Sequence, residues 1–108
     1  HRADIRFSVD GSAAHLVLSR GGAKLFVAAV LLAQTEYVSK RSGSVPVVLM
    51  DDLPSELDVQ NRARLLDVLQ ASQAQIFLTT VSRDLLDTSN WDHQKMFHVE
   101  QGTVREML

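Results

Sequence analysis

The sequence predicts an α/β fold, and three features of the middle of the chain support this prediction. Residues 46–50 and 76–78 form two short apolar runs with the length of buried strands. A segment with helical periodicity lies between them, beginning near Asp58 or Val59 and ending at Ala71. The order strand, helix, strand is typical of a right-handed parallel crossover. Because the run at 46–50 is apolar on both sides, we expect a central strand in a sheet that is covered on both faces.

The chain begins with a predicted hairpin. Apolar and polar side chains alternate over residues 5–9, which is the period-2 pattern of a half-buried strand. The pair Asp10-Gly11 follows at once and favours a tight turn. Residues 15–18 are then the expected return arm.

A long helix is predicted from Ala23 to about Val38, a stretch without glycine or proline. Ser19 precedes it as a natural N-cap, whose side chain can accept hydrogen bonds from the first backbone N–H groups. Residues 25–33 are apolar nearly all round the helix, so we expect most of it to be buried. Residues 41–44 are predicted to form a solvated loop.

The second half of the chain carries one more helix face and a second hairpin. In the helix ending at Ala71, the apolar face is formed by Leu65, Leu66 and Leu69. Residues 82–89 are expected to hold one or two helical turns, with Ser82 as the cap. Residues 95–100 and 103–105 flank Gln101-Gly102 and predict a hairpin.

Composition excludes several classes of protein. The chain has 108 residues, the size of one domain, and 11 Lys plus Arg against 13 Asp plus Glu give a net charge of −2. This balance argues against a small basic nucleic-acid module. Cysteine is absent, which excludes disulfides, thiolate metal sites and cysteine nucleophiles. The longest apolar run is too short to span a bilayer, and no secretory signal or start methionine opens the sequence. We therefore expect a piece of a longer protein, or a processed or cropped one, that does not enter a membrane, and the lack of cysteine suits a cytoplasmic location.

The feature that points to chemistry is a pair of acids at the end of the first buried strand. Asp51 and Asp52 directly follow the apolar run, and ligands of open α/β sheets bind beyond the carboxyl ends of the strands. In phosphoryl-transfer sites a carboxylate holds Mg²⁺ and a neighbouring one handles the attacking water. We therefore expect Asp51 to serve Mg²⁺, directly or through water, and Asp52 to polarise the nucleophile. The alternative is that two aspartates merely begin a polar loop.

Three segments in order resemble the motifs of one ATPase family. Leu-Ser-Arg-Gly-Gly at 18–22 resembles the signature motif of ABC-type ATPases, residues 47–52 resemble their Walker B strand, and Ser-Glu-Leu-Asp at 55–58 resembles their D-loop. Within that superfamily the chain is similar to the RecF family of bacterial recombination and repair proteins. Four details carry this similarity: the opening His1-Arg2-Ala3-Asp4 followed by a strand, the Asp51-Asp52 pair in place of aspartate–glutamate, Lys24 two residues beyond the signature, and the ending at 96–102.

The resemblance implies a fold and a set of nucleotide contacts. The fold would be the C-terminal half of an ABC-type P-loop NTPase head, a mostly parallel sheet flanked by helices with an edge β-hairpin, in the C-terminal part of a RecF-family protein. In ABC-type dimers the signature loop of one subunit closes on the γ-phosphate of ATP bound by the other, a contact that Ser19, Gly21 and Gly22 would supply here. Asp58 would lie at the dimer interface. Ser19 and Asp58 are also explained as ordinary helix N-caps, and both roles can hold together.

Two residues and one missing motif depart from the ABC pattern. Thr80 stands where the switch histidine is usual, and Gly22 stands where glutamine is usual. A hydroxyl cannot carry an imidazolium charge, so slow hydrolysis is expected. No G-x-x-x-x-G-K-[ST] occurs in these 108 residues, so nothing here can cradle the α- and β-phosphates. We expect a weak ATPase in the full-length protein and none in this fragment.

The resemblance also implies a cellular role. The implied role is ATP-dependent binding of single-stranded and gapped DNA during recombinational repair, replication and the SOS response. The implied cofactors are ATP and Mg²⁺. The expected partners are a second copy of the protein, in an ATP-dependent homodimer, and the RecR and RecO proteins. Two alternatives stay open: the ABC-type ATPase head of a chromosome-organising or transport protein, and an interaction module that kept the ABC shape but lost hydrolysis.

Overall fold

A computed structural model describes residues 3–107 of the chain. In chain order the helices and strands are β1 (Ser8–Val9), β2 (Ser12–Ala13), α1 (Ala14–Val17), α2 (Arg20–Ser42), β3 (Val47–Met50), a 3₁₀ helix (Leu53–Glu56), α3 (Val59–Ala71), β4 (Gln75–Leu78), a second 3₁₀ helix (Arg83–Leu85), β5 (Met96–Glu100) and β6 (Thr103–Met107). The α/β class is therefore confirmed.

The two apolar runs pair as neighbouring parallel strands. β3 and β4 run in register from Val47 opposite Gln75 to Met50 opposite Leu78, and α3 connects them. The predicted larger sheet is not confirmed, because the described residues form three separate two-stranded sheets. The β5–β6 hairpin is one of these, so it does not form the edge of the β3–β4 sheet.

Only one face of the β3–β4 sheet is covered, which corrects the expectation of a strand buried on both sides. Val48, Met50 and their partners on β4 face the core, whereas Val47 is 55%, Leu49 77% and Phe77 53% exposed. The physical reason is that helices α2 and α3 contribute core residues to one layer only. The second apolar face lies open along this segment.

Helix α2 is longer and less buried than the sequence predicts. It begins at Arg20, three residues before the expected start, and continues to Ser42, where Gly43 ends it in a left-handed conformation (φ 71°). Only Ala28 and Leu32 of this helix are buried, so the expectation that most of it is buried was wrong. Among the helices of residues 3–107, none has both the length and the apolar character that crossing a membrane requires.

The core lies between α2, α3 and the covered face of the sheet. Its buried members are Ala28, Leu32, Met50, Leu57, Leu65 and Leu69, with Leu25, Val48, Leu53, Ile76, Leu78 and Trp91 packed against them. The predicted apolar face of α3 is confirmed, since Leu65, Leu66 and Leu69 are all buried. This cluster fixes the carboxyl end of β3 against the loops that follow it.

The first hairpin is much shorter than predicted. Asp10 and Gly11 both have positive φ (49° and 81°), as a tight hairpin turn requires. The strands span only two residues each, and the expected return arm at 15–18 lies mostly in the single helical turn α1. The second hairpin turns at Gln101-Gly102 as predicted. One helical turn after Ser82, whose side chain caps it, is also confirmed.

Candidate functional site

The acidic pair lies at the carboxyl end of the parallel strands. Asp51 and Asp52 directly follow β3, and Thr79 directly follows β4. Because Met50 pairs with Leu78, the next residues along the two strands, Asp51 and Thr79, stand opposite each other. The Thr79 hydroxyl donates to Asp51 Oδ1 at 2.6 Å and accepts from the Asp52 backbone N–H at 2.9 Å. The Thr79 backbone N–H donates to the Met50 carbonyl at 2.9 Å. The loop after β3 is therefore fastened to the end of β4.

Asp52 combines an unusual backbone with a buried carboxylate oxygen. Its φ of 48° and ψ of 26° are in the left-handed region, which few residues other than glycine adopt. Within residues 3–107, Asp52 Oδ1 is buried and has no hydrogen-bond partner. Its carbonyl accepts from the Ser55 hydroxyl at 2.9 Å, at the start of the 3₁₀ helix. Strain and an unpaired buried oxygen at one residue are features that cluster at functional sites.

Ser19 is the N-cap of α2. Its hydroxyl oxygen accepts from the Gly22 N–H at 3.0 Å, and the side chain is exposed. A Cβ added at Gly22 would lie 3.0 Å from this oxygen, so any side chain there would crowd the cap. The free N-terminal N–H groups of α2 and the exposed hydroxyl form a surface that suits an anion.

The signature segment contacts the segment that resembles a D-loop. A Cβ at Gly21 would meet the Asn61 amide nitrogen at 3.6 Å and the Glu56 carbonyl at 3.7 Å. Lys24, one turn into α2, forms an ion pair with Glu56. The first turn of α2 is therefore held against residues 56–61 through both backbone packing and charge.

Asp58 and Thr80 have local hydrogen-bond partners. Asp58 caps α3, since its Oδ1 accepts from the Asn61 N–H at 2.7 Å and its Oδ2 from the Asn61 side-chain amide at 3.3 Å. The Thr80 hydroxyl donates to the Ser82 carbonyl at 3.0 Å. The threonine that contacts the acidic pair is Thr79, which sequence reasoning missed. The signal for it was the parallel register, because the residue after β4 stands opposite the residue after β3.

The acidic pair could supply some of the ligands of a Mg²⁺ ion, with phosphate and water oxygens supplying the others. Carboxylate oxygens are the ligands that Mg²⁺ prefers, and Mg²⁺ is usually bound by one or two carboxylates together with phosphates and water. Within residues 3–107 no group of three or more His, Cys, Asp or Glu side chains is placed to hold a metal. Among the described residues, Asp51 and Asp52 are the carboxylates that directly follow β3 and could contribute ligands at this edge of the sheet.

The first turns of α2 and the end of β3 line one open groove. Its polar side chains are Arg20, Lys24 and Asp51, and the rest of its lining is apolar. The structure therefore brings the signature helix and the first acid to one surface. Asp52 and Thr80 do not line this groove.

Comparison with known proteins gives one family and several close relatives. The sequence model of the family described as "RecF/RecN/SMC N terminal domain" matches residues 11–105. The DNA replication and repair protein RecF of Thioalkalivibrio sulfidiphilus is 42% identical over 105 residues, covering 97% of this chain and 29% of that protein. The protein of the same name in Vibrio atlanticus is 39% identical over 106 residues, covering 98% of this chain and 30% of that protein. The protein of the same name in Edwardsiella ictaluri is 41% identical over 104 residues, covering 96% of this chain and 29% of that protein.

The chain therefore spans somewhat under a third of the length of these relatives. The family description names an N-terminal domain. The match does not support the prediction that this segment is the C-terminal part of its protein, or the C-terminal half of an ATPase head.

Proposed function

This chain belongs to the RecF/RecN/SMC N terminal domain family, and from that premise we propose that it forms part of the ATP site of a DNA replication and repair protein. The observation that carries the proposal is the acidic pair at the carboxyl end of the β3–β4 sheet, fastened by Thr79. That edge is where α/β proteins bind ligands. The names of the relatives supply the DNA repair context.

In this proposal each acid has a separate task. Asp51 is exposed and holds Mg²⁺, directly or through water, with the phosphates of ATP completing the ligand set. Asp52 orients and polarises the water that attacks the γ-phosphate. The left-handed backbone and the unpaired buried Oδ1 of Asp52 support a functional role for this residue, because such features cluster at functional sites.

The signature residues act on the nucleotide of a second copy. Ser19 offers its exposed hydroxyl and Gly21 its backbone N–H. Gly22, whose own N–H donates to Ser19 Oγ, contributes by having no side chain that would block close approach. Asp58, exposed at the start of α3, lies at the interface between the copies. The contact of Gly21 with residues 56–61 supports a role for both segments in one dimer surface.

The remaining expectations form part of the same proposal. A P-loop from outside these 108 residues holds the α- and β-phosphates. Thr80 replaces a histidine, so hydrolysis is slow and ATP serves mainly to close the dimer. The closed dimer binds single-stranded and gapped DNA and works with the RecR and RecO proteins.

An ATPase head of a chromosome-organising protein would use the same nucleotide contacts, and the family description also includes SMC proteins. The names of the relatives favour repair over this alternative.

The experiment that tests the proposal is ATP-dependent dimerisation of the full-length protein. Ser19→Arg places a bulky cation on the proposed γ-phosphate contact, and we expect it to prevent dimerisation in ATP and Mg²⁺ while each copy still binds ATP. Sedimentation velocity measures the dimer, and fluorescence anisotropy with labelled gapped DNA measures the ATP-dependent complex.

Ser72→Arg is the matched control. It places the same bulky cation at another serine whose hydroxyl accepts from a backbone N–H, but this serine lies between α3 and the opposite end of β4. The control should dimerise like the wild type. If the Ser19→Arg protein dimerised at the same ATP concentrations as the wild-type protein, the proposal would be contradicted.

A further inference from the structure

Thr79 is joined to three consecutive residues at the end of β3. Its backbone N–H donates to the Met50 carbonyl, its hydroxyl donates to Asp51 Oδ1, and the same hydroxyl accepts from the Asp52 N–H. The two hydroxyl bonds are 2.6 and 2.9 Å long, within the range of well-formed hydrogen bonds. One side chain therefore fixes both proposed nucleotide-site acids from the neighbouring strand.

The direction of these bonds follows from the groups that make them. An ionised carboxylate only accepts and a backbone N–H only donates, whereas a hydroxyl has one proton to give and lone pairs to receive. The Thr79 proton must therefore go to Asp51, and a lone pair must face the Asp52 N–H. Only serine or threonine provides both functions at this length of side chain. A valine at the same place would keep the shape and lose both bonds.

The arrangement has a separate consequence for each acid. The Thr79 hydroxyl donates to Asp51 Oδ1, and no group within residues 3–107 donates to Asp51 Oδ2, which is left to meet a cation. The Thr79 hydroxyl also accepts from the N–H of Asp52, a residue whose left-handed φ of 48° is less favourable than ordinary backbone for any residue with a Cβ. Loss of the hydroxyl would free the carboxylate to rotate and allow the Asp52 backbone to relax.

We propose that Thr79 is a positioning residue of the nucleotide site, which orients Asp51 toward the divalent cation and holds Asp52 in its left-handed conformation. This inference rests on the function proposed above, since it assumes that Asp51 meets a cation. Residues that orient a metal ligand in this way typically change metal affinity by about 10- to 100-fold when they are removed.

The test is an equilibrium measurement that does not depend on hydrolysis. The full-length protein is saturated with a non-hydrolysable ATP analogue, and Mn²⁺ is titrated in as the probe while free Mn²⁺ is measured by electron paramagnetic resonance. We expect Thr79→Val to raise the Mn²⁺ concentration at half-saturation by about tenfold or more. Thr79→Ser, which keeps the hydroxyl, should restore binding to near the wild-type value.

Thr35→Val is the matched control for the loss of a threonine hydroxyl bond. The Thr35 hydroxyl donates to the Leu31 carbonyl at 2.7 Å within α2, and its removal should leave Mn²⁺ binding unchanged. Thermal unfolding of each variant shows whether it folds. If Thr79→Val does not fold, Thr79→Ala is measured in its place, because its smaller side chain avoids packing a methyl group against the carboxylate.

Asp51→Asn separates the two proposals. If it leaves Mn²⁺ binding unchanged, the metal role of Asp51 in the proposed function is wrong. If Asp51→Asn weakens Mn²⁺ binding but folded Thr79→Val and Thr79→Ala bind like the wild type, the positioning role of Thr79 is overturned while the proposed function stands. A loss in Thr79→Val that Thr79→Ser does not restore also overturns the positioning role.

Discussion

Asp52 shows at the scale of one residue how a proposed function opposes stability. Its left-handed backbone costs of the order of 1 kcal/mol for a residue with a Cβ. Within residues 3–107 its buried Oδ1 also has no hydrogen-bond partner, which adds a desolvation cost. Neither feature helps the fold, so the residue is better explained by what its carboxylate does.

This opposition predicts a stabilising substitution. Asp52→Gly removes the backbone strain and the unpaired carboxylate oxygen, and it keeps the backbone N–H that donates to the Thr79 hydroxyl. We therefore expect the free energy of unfolding to rise by about 1–2 kcal/mol. The same variant should lose ATP turnover by about 100-fold or more, the usual size of an acid–base contribution. Chemical denaturation and steady-state turnover of the full-length protein measure the two effects.

Asp10→Gly controls for the backbone alone. Asp10 has nearly the same positive φ (49°) but is exposed in the first hairpin turn. Asp10→Gly should raise the free energy of unfolding by less than Asp52→Gly does, and it should leave ATP turnover unchanged. An Asp52→Gly protein that is less stable than the wild type would show that this carboxylate supports the fold, contrary to our interpretation.

Thr79 shows which part of the site the sequence could not provide. Asp51 and Asp52 stand out because they end an apolar run, a local pattern that any strand end displays. The contact from Thr79 depends on the register between two strands 28 positions apart. The resemblance assigns Thr80 a contact with the γ-phosphate, and no local pattern in the sequence marks Thr79 as the partner of the two acids.

At the scale of secondary structure, the helix caps were predictable, although α2 starts three residues earlier than expected, and the exposed faces were not. Ser19 and Asp58 cap α2 and α3 as their sequence positions predict, because a cap involves only the next three residues. The apolar stretch of α2 was predicted to be buried, yet Val27 is 56% and Leu31 52% exposed. Burial depends on elements that pack from elsewhere, which a helical pattern does not encode.

The cap of α3 yields a prediction that separates the two roles given to Asp58. Asp58→Ala removes the acceptor of the Asn61 N–H and of the buried Asn61 amide, and should destabilise the protein by about 1–3 kcal/mol. Asp58→Asn keeps an acceptor oxygen and removes the charge, so most of the stability should remain. Chemical denaturation measures both variants.

The interface role predicts a different result for Asp58→Asn. If Asp58 contributes its charge to the dimer surface, this variant should dimerise less readily in ATP although its stability is nearly that of the wild type. Normal dimerisation of Asp58→Asn would leave the helix cap as the whole role of the residue.

At the scale of the whole molecule, the open apolar face of the β3–β4 sheet explains the main error in the predicted fold. Val47, Leu49 and Phe77 have the composition of a strand covered on both sides, and the sequence was interpreted that way. Within residues 3–107 no layer covers them. The chain spans about 30% of the length of its relatives. The sequence of these 108 residues can therefore show that a sheet is apolar on both sides without including the segment that would pack against the second side.

The central claim is that a complete site combines Ser19 of one copy with the acids of another. It predicts complementation between two inactive variants of the full-length protein, Asp51→Asn and Ser19→Ala, the second of which removes the proposed hydroxyl contact without the bulk that prevents dimerisation. A mixed dimer would hold one site with both defects and one site with neither, because each site takes its signature from one copy and its acids from the other.

ATP turnover of an equimolar mixture of these variants is the most direct measurement. We expect recovery to about a quarter of wild-type turnover, since half of the dimers are mixed and each has one intact site of two. If Ser19 and Asp51 served the same nucleotide within one copy, no dimer would contain an intact site. A mixture no more active than the separate variants would therefore contradict the account.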